Sequence, residues 1–285
     1  MPGKIVFETT PDGSATPVER MRITSDGDLL LTGTFTGTAS VPASGAGTRL
    51  FFDTQKAAFR AGGVDGAQWD NANIGDYSVA MGYSNYASGI HSVALGWRNN
   101  ATGGYSTALG INSNATGSAS TTLGSQTTAS GNTSIAMGAG SHASGTYSIA
   151  IGQYVVAGNG TAGSGFGDGS LAIGLVDEAV TITTSPQVTG IQSMGIFMGD
   201  QDGGVVMSAA NTMGLFGGKM VIDPAVPATQ LSARGVIDAG AATDAVVLPS
   251  GTTAQRPGTP VNGMIRYNAT NNRIESYENG AWKNT

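Results

Sequence analysis

Cysteine is absent from the chain, which excludes a disulfide framework and any thiolate metal site. Charge is scarce: Asp, Glu, Lys and Arg make up 11% of the 285 residues, against roughly 25% in an average globular protein. The 13 basic residues are outnumbered by 19 acidic ones, for a net charge of −6. That balance excludes the basic surface that nucleic acid or an anionic membrane requires, so no nucleic-acid partner is expected. No stretch approaches the ~18–20 apolar residues of a spanning helix, so no membrane insertion is expected either. The opening MPGKIVFETTPDG lacks a basic segment followed by an apolar core of about 7–15 residues. It predicts a soluble chain that does not use the general secretory route.

What the chain has instead is glycine, at 45 residues, with Ser, Thr, Ala and Asn filling much of the rest. Its 40% hydrophobic content is largely alanine. Large apolar side chains are too thinly spread for a thick core, and a thin repetitive architecture follows. The repeat is explicit. Pentads of the form Ser-x-Ala-x-Gly, with Thr122 for the alanine in the fourth, end at Gly82, Gly96, Gly110, Gly124, Gly138 and Gly152, fourteen residues apart at every step. A second marker, Ala-Ser/Thr-Gly, recurs in the same phase at Ala87, Ala101, Ala115, Ala129 and Ala143.

Fourteen residues hold two short strands and two bends. The pentads alternate as strands do, and the six glycines mark places where positive φ or close approach excludes a Cβ. A helix fails because no i, i+3, i+4, i+7 stripe exists and glycine at this density would cost up to ~1 kcal/mol per position. Each unit is therefore one coil of a parallel β-solenoid, rising about 4.8 Å per coil. Alternation puts Val79 and Met81 on one side of the strand, Ser78, Ala80 and Gly82 on the other. The larger row is expected to fill the interior and the small row to let another wall approach. So slender a coil excludes water poorly alone, which predicts several chains packed side by side.

These residues resemble the YadA-like head repeats of the trimeric autotransporter adhesins, as in Ser92-Val93-Ala94-Leu95-Gly96 with Ala101-Thr102-Gly103. The resemblance spans about residues 73–160. It implies an all-β fold: a homotrimeric left-handed parallel β-roll with short β-rich flanks. Such adhesins also carry a signal peptide, a heptad stalk and a membrane anchor, which are not seen here. The flanks are instead similar to bacteriophage tail-fibre and other virion-appendage proteins. VERMRITSDGDLLLTG (18–33) and LPSGTTAQRPGTPVNGMIRYNATNNRIESYENGAW (248–282) carry that likeness. Assembly in a host cytoplasm would account for the missing export signal.

Five segments are expected: a β-rich attachment segment at 1–50 and a cap or transition at 51–72. The regular repeats at 73–160 follow, then coils with loop insertions at 161–222, and a transition with a terminal hairpin module at 223–285. Asp-Gly pairs at 12–13 and 26–27 signal hairpin turns. After Gly152 the pentads are read as ending at Gly174, Gly199 and Gly217. The terminal hairpin is expected to turn at Asn271-Asn272.

Catalysis finds little support. Asp76 and Arg98 are the only acid and base between residues 73 and 160, so no carboxylate pair exists there. Asp200 and Asp202 are the closest pair elsewhere, and a solvated turn explains them. His91 and His142 fall at different phases and make no metal site; both are expected to be exposed and uninvolved. No cofactor and no metal are expected. Aromatic columns are the sharper signal. Tyr77, His91, Tyr105 and Tyr147 share one phase, Tyr83 and Trp97 another. Either they pack as ladders or trimer contacts, or they form a strip whose faces suit pyranose CH groups. Tyr267, Tyr277 and Trp282 in the terminal hairpin pose the same choice.

The expected function is a non-enzymatic, adhesive, trimeric fibre protein of a phage or phage-like appendage that attaches to a bacterial surface. Its partners would be itself, other appendage proteins, and a bacterial surface glycan or outer-membrane receptor, with threefold avidity. The alternatives are a cell-surface trimeric adhesin head, or a tailspike-type glycan-degrading enzyme with a site between subunits.

Overall fold

The computed structural model describes residues 3–38, 41–159, 167–175, 185–198, 205–216 and 248–284. Asp200, Asp202, Gly199, Gly217 and all of the 223–247 transition lie outside them. Two compact units divide after Met220. Among the described residues there is no α-helix, only strands, turns and two single turns of 3₁₀ helix.

The first unit is built on a parallel β-roll. Five-residue strands, Val79–Tyr83, Val93–Trp97, Thr107–Ile111, Thr121–Ser125, Ile135–Ala139 and Ile149–Gln153, stack as a front wall. Two-residue strands such as Asn100–Ala101 and Asn114–Ala115 stack as a back wall. The register repeats the sequence: Leu109 pairs with Leu95 and Leu123, and Gly110 with Gly96 and Gly124.

The interior is the small row, not the large one. Ser78, Ala80, Ser106 and Ala108 are fully buried, as are the back-wall alanines Ala87, Ala101 and Ala115. Val79, Met81, Leu95, Leu109 and Leu123 point outwards, half-buried to exposed. The expectation that large side chains fill the coil is thereby overturned. Small side chains on facing walls close the gap, alanine at most front-wall places and the fully buried Thr122 at one. Interior polar groups satisfy the bends: the Ser120, Ser134 and Ser148 hydroxyls donate to the carbonyl three residues back, at 2.6–2.7 Å. Asn99 Nδ2 donates to Leu95 O at 2.9 Å and Gly110 O at 2.7 Å, while its Oδ1 accepts from Ser113 N.

Glycine is required where the front wall ends. Gly110 has φ +127, and a Cβ there would be driven into the Gly124 carbonyl oxygen of the next coil. Two further bends per coil use left-handed residues that are mostly not glycine. One column is Tyr77, His91, Tyr105, Ala119, Thr133 and Tyr147; the other includes Ser84, Arg98, Asn112, Gln126 and Tyr154.

Three wider coils extend the roll through Leu171–Leu175, Met194–Met198 and Met213–Phe216. Here the register departs from the glycine count. Ala172 pairs with Gly195, and Gly174 pairs with Phe197 rather than Gly199; Phe216, not Gly217, follows at that place. In the last two of these coils a glycine replaces the interior alanine and a phenylalanine replaces the bend glycine. Phe197 is fully buried and stacks on Phe216 at 5.0 Å, its ring filling the space that Gly195 leaves.

The N-terminal end of the roll is closed by a hairpin, β4 (Gly47–Asp53) and β5 (Ala58–Val64), with β5 pairing parallel to Val79–Tyr83. Arg60 occupies the place of the interior alanines, pairing with Ala80. Fully buried, it donates to Ser78 O at 3.0 Å, Ser78 Oγ at 2.8 Å and Ala87 O at 3.1 Å. Lys56 Nζ donates to Asn71 O and Ile74 O, both at 2.7 Å. These cations cap carbonyls that an open coil would leave bare. The buried Trp69 indole donates to Asn85 O.

Before the cap, β1 (Ile5–Thr9), β2 (Val18–Ile23) and β3 (Leu29–Leu31) form an antiparallel sheet. Gly13 and Gly27 take positive φ in its turns. Ile5, Phe7, Ile23, Leu29 and Leu31 remain exposed. In the second unit, Ile265–Asn268 and Arg273–Glu278 form a hairpin with Asn272 left-handed in its turn. A further turn at Asn279-Gly280 adds Ala281–Asn284, and Ser250–Gly251 pairs at the other edge. Buried Glu275 ties this unit together, accepting from Arg256 Nε at 3.1 Å and Asn268 Nδ2 at 2.9 Å. Its carboxyl is held below the usual range, chiefly by the Arg256 hydrogen bonds.

Candidate functional site

The left-handed bend before each front strand throws its side chain outwards. Each of these residues donates its backbone N–H to the preceding coil, as Tyr105 does to Ile90 O at 2.7 Å and Tyr147 to Asn132 O at 2.8 Å. Bulky residues rarely adopt positive φ, yet Tyr77, His91, Tyr105 and Tyr147 lie at φ 55–61. Three of them stack: Tyr77 on His91 at 4.7 Å between ring centroids, and His91 on Tyr105 at 5.0 Å. Phe35, on the chain that crosses the top of the first coil, stacks on Tyr77 at 4.8 Å and extends the ladder to four rings. No periodic signal marks Phe35, because it lies outside the repeats.

The ladder modifies the picture of a strip of open ring faces. Both faces of Tyr77 and His91 are covered by neighbouring rings. Tyr105 has a ring on one side only, since Ala119 and Thr133 take the next two places in the column. Tyr147 has no ring neighbour among the described residues. These two are the most exposed aromatics of the roll, at 62% and 67%.

Tyr83 and Trp97 sit side by side just past the bend glycine, at paired positions. The Arg98 guanidinium lies 4.8 Å from the Trp97 ring and bridges to Asp65 at 2.8 Å. Hydrogen bonds from Ser84, then Gln68 and Arg98, hold the Asp65 carboxylate below its usual range. Asp65, Ser84, Arg98 and Asn100 line a shallow hollow of about 300 Å³. Tyr154, unremarked in the repeat, lays its ring over Gly140 at the same bend.

The two histidines part company. His91 is exposed but held between two tyrosines. His142 is half-buried on the back wall, its Nε2 shielded and without a hydrogen-bond partner, and burial lowers its pKa. It is not the exposed side chain expected. In the second unit Tyr277 and Trp282 pack edge to face at 5.3 Å. Trp282 also borders an apolar hollow of about 380 Å³ with Pro249, Pro257, Met264 and Arg266. Tyr267 stays partly exposed on the adjoining strand. Among the described residues no group of three or more His, Asp or Glu converges on a metal position. No helix there is long and apolar enough to cross a membrane.

Stacked coils in one register, a core of small side chains, an apolar outer row and an aromatic edge define a β-roll repeat module. Residues 74–99, 101–127 and 129–154 match the YadA head domain repeat, two copies to each match. No curated protein matches the chain.

Proposed function

We propose that the chain is an adhesive rod that works as a homotrimer, with a left-handed β-roll and no catalytic activity. The observation carrying this reading is the outward row Met81, Leu95, Leu109, Leu123, Met137 and Ile151. These side chains line up through six paired coils and stay half-buried to exposed. A continuous apolar stripe of that length on a soluble rod needs a cover, and a second and third copy supply one of matching period. The bare apolar face of β1–β3 asks for the same. Three chains side by side would repeat each aromatic surface threefold, so that weak contacts add through avidity.

The head of a cell-surface adhesin is the first setting, supported by the match to the YadA head repeat. A virion appendage such as a tail fibre is the second, supported by the likeness of residues 18–33 and 248–282 to such proteins. Both settings use the same chemistry against a bacterial or host surface, with Tyr77, Tyr83, His91, Trp97, Tyr105, Tyr267, Tyr277 and Trp282 as candidate contacts. Segment limits at 50, 72, 160 and 222 are proposed with it.

Sedimentation or light scattering tests the reading: three chain masses are expected, and Leu109→Glu with Leu123→Glu should release monomers. A wild-type monomer would overturn it. Release of reducing sugar from a surface polysaccharide, lost in Asp200→Asn with Asp202→Asn, would replace it with the enzyme.

A further inference from the structure

Between Tyr105 and Tyr147 the column of left-handed residues is cut down to Ala119 and Thr133. The two rings stand three coils apart, roughly 14 Å at about 4.8 Å per coil. Tyr105 has its ladder on one side, so its free face looks along the roll towards Tyr147. The result is a slot with an aromatic wall at each end. Its floor carries Ala119 and Thr133, and Ser118 and Asn132 stand exposed beside them.

Among the described residues no ring packs on Tyr147, and it is the most exposed aromatic of the roll, at 67%. Its backbone sits at φ 58, where a bulky residue is unfavourable. Tyr77, His91 and Tyr105 stack on one another at such a bend; among the described residues Tyr147 has no such neighbour. A second observation concerns charge. No Asp, Glu, Lys or Arg occurs from residue 99 to residue 167. The slot is therefore bounded by two tyrosine rings and edged by hydroxyl and amide groups, with no charged side chain on its coils.

We propose that this slot binds a neutral hexopyranose chain of a cell-surface polysaccharide. One sugar face rests on Tyr105 and another on Tyr147, with Ser118, Asn132 and Thr133 meeting the ring hydroxyls. Axial CH groups of a pyranose suit the negative face of an aromatic ring, and its hydroxyls suit neutral donors and acceptors. A pyranose resting on each ring at about 4–4.5 Å leaves roughly 5–6 Å between the two sugars, room for the chain that joins them. A uronic or sialic acid would find no cation there. The proposal rests on the adhesive-rod reading and names its ligand class.

The test is calorimetric titration of the full chain with maltohexaose, cellohexaose and a mannohexaose, and with hexagalacturonate as the charged probe. Saturable binding of at least one neutral hexasaccharide and none of hexagalacturonate is expected. Tyr105→Ala and Tyr147→Ala should each weaken it at least tenfold, and Gln126→Ala at the opposite bend should not. Ala119→Tyr extends the ladder into the slot and should abolish binding while the fold persists. The proposal is overturned if no neutral probe binds, if hexagalacturonate binds as well, or if Tyr147→Ala binds like the wild type. It is also overturned if Tyr147→Ala lowers the oligomeric mass, because the ring is then a packing contact. A trimer that adheres to cells but fails these titrations keeps the adhesive reading and loses only the slot.

Discussion

Replacing Arg60 by alanine turns the cap of the roll into one more ordinary coil with nothing above it. Burial pulls the Arg60 pKa down to about 10, a penalty of about 3 kcal/mol for holding the charge inside. Against that stand three hydrogen bonds to the next coil, to Ser78 O, Ser78 Oγ and Ala87 O. Bonds to a charged group contribute about 1.5–3 kcal/mol each, together roughly 5–9 kcal/mol. Arg60→Ala is thus expected to destabilise the first coils by about 2–6 kcal/mol, since the relieved charge offsets part of the loss. In a repeat protein that loss is local. Amide exchange reads it: the Phe59 amide, which donates to Ser78 O at 2.9 Å, should exchange about a hundredfold faster. The Ile135 amide, five coils away, should be unchanged. Arg60→Lys keeps the charge but not the fork and should fall between. Unchanged exchange at Phe59 would refute the capping role; equal acceleration at Ile135 would refute the independence of the coils.

Gly110→Ala puts a Cβ into the Gly124 carbonyl and strains φ +127. It should cost several kcal/mol, roughly 3 or more, and lower the melting temperature sharply. Gly104→Ala, whose Cβ meets only an Ile90 methyl at 3.3 Å, should stay within about 1 kcal/mol. Phe197→Ala should cost about 3–5 kcal/mol in denaturant titration by opening a cavity. Adding Gly195→Ala to Phe197→Gly restores the pentad of the earlier coils and should recover much of that loss. His142, whose pKa burial lowers, binds its proton more readily when unfolded. Stability should therefore hold above pH 6.5 and decline as the pH falls from there to its depressed value, and His142→Gln should flatten that part of the curve.

The repeat was legible because two markers hold one period, and the paired registers at Gly96, Gly110 and Gly124 reproduce it residue for residue. Which row lies inside was not legible from alternation, since period two separates faces without naming them. Wall spacing decides it, and in the regular coils the inward row of the front wall holds only alanine, serine and one threonine. The later coils misled for a related reason. The glycine at 195 looks like the start of a broken pentad, whereas it is half of an exchange with Phe197 that keeps the interior volume filled. Column phase brought Tyr77, His91 and Tyr105 together correctly in sequence space. It left ladder packing and an open strip as alternatives, and it could not reveal that Phe35 arrives from outside the repeat to cover Tyr77. Hydrogen bonds from one chain segment to a distant one, such as Arg98 to Asp65, leave no trace in periodicity.

The backbone hydrogen bonds that join one coil to the next run along the roll, so a pull on its two ends loads them in series. Rungs in series yield singly, starting at the weaker end, instead of sharing the load. Each coil that lets go would lengthen the chain from about 4.8 Å to as much as roughly 48 Å, fourteen residues at about 3.4 Å. A roll of this design is a stack of length reserves. Under flow it would pay out one coil at a time and keep its grip where a stiffer tether would snap free.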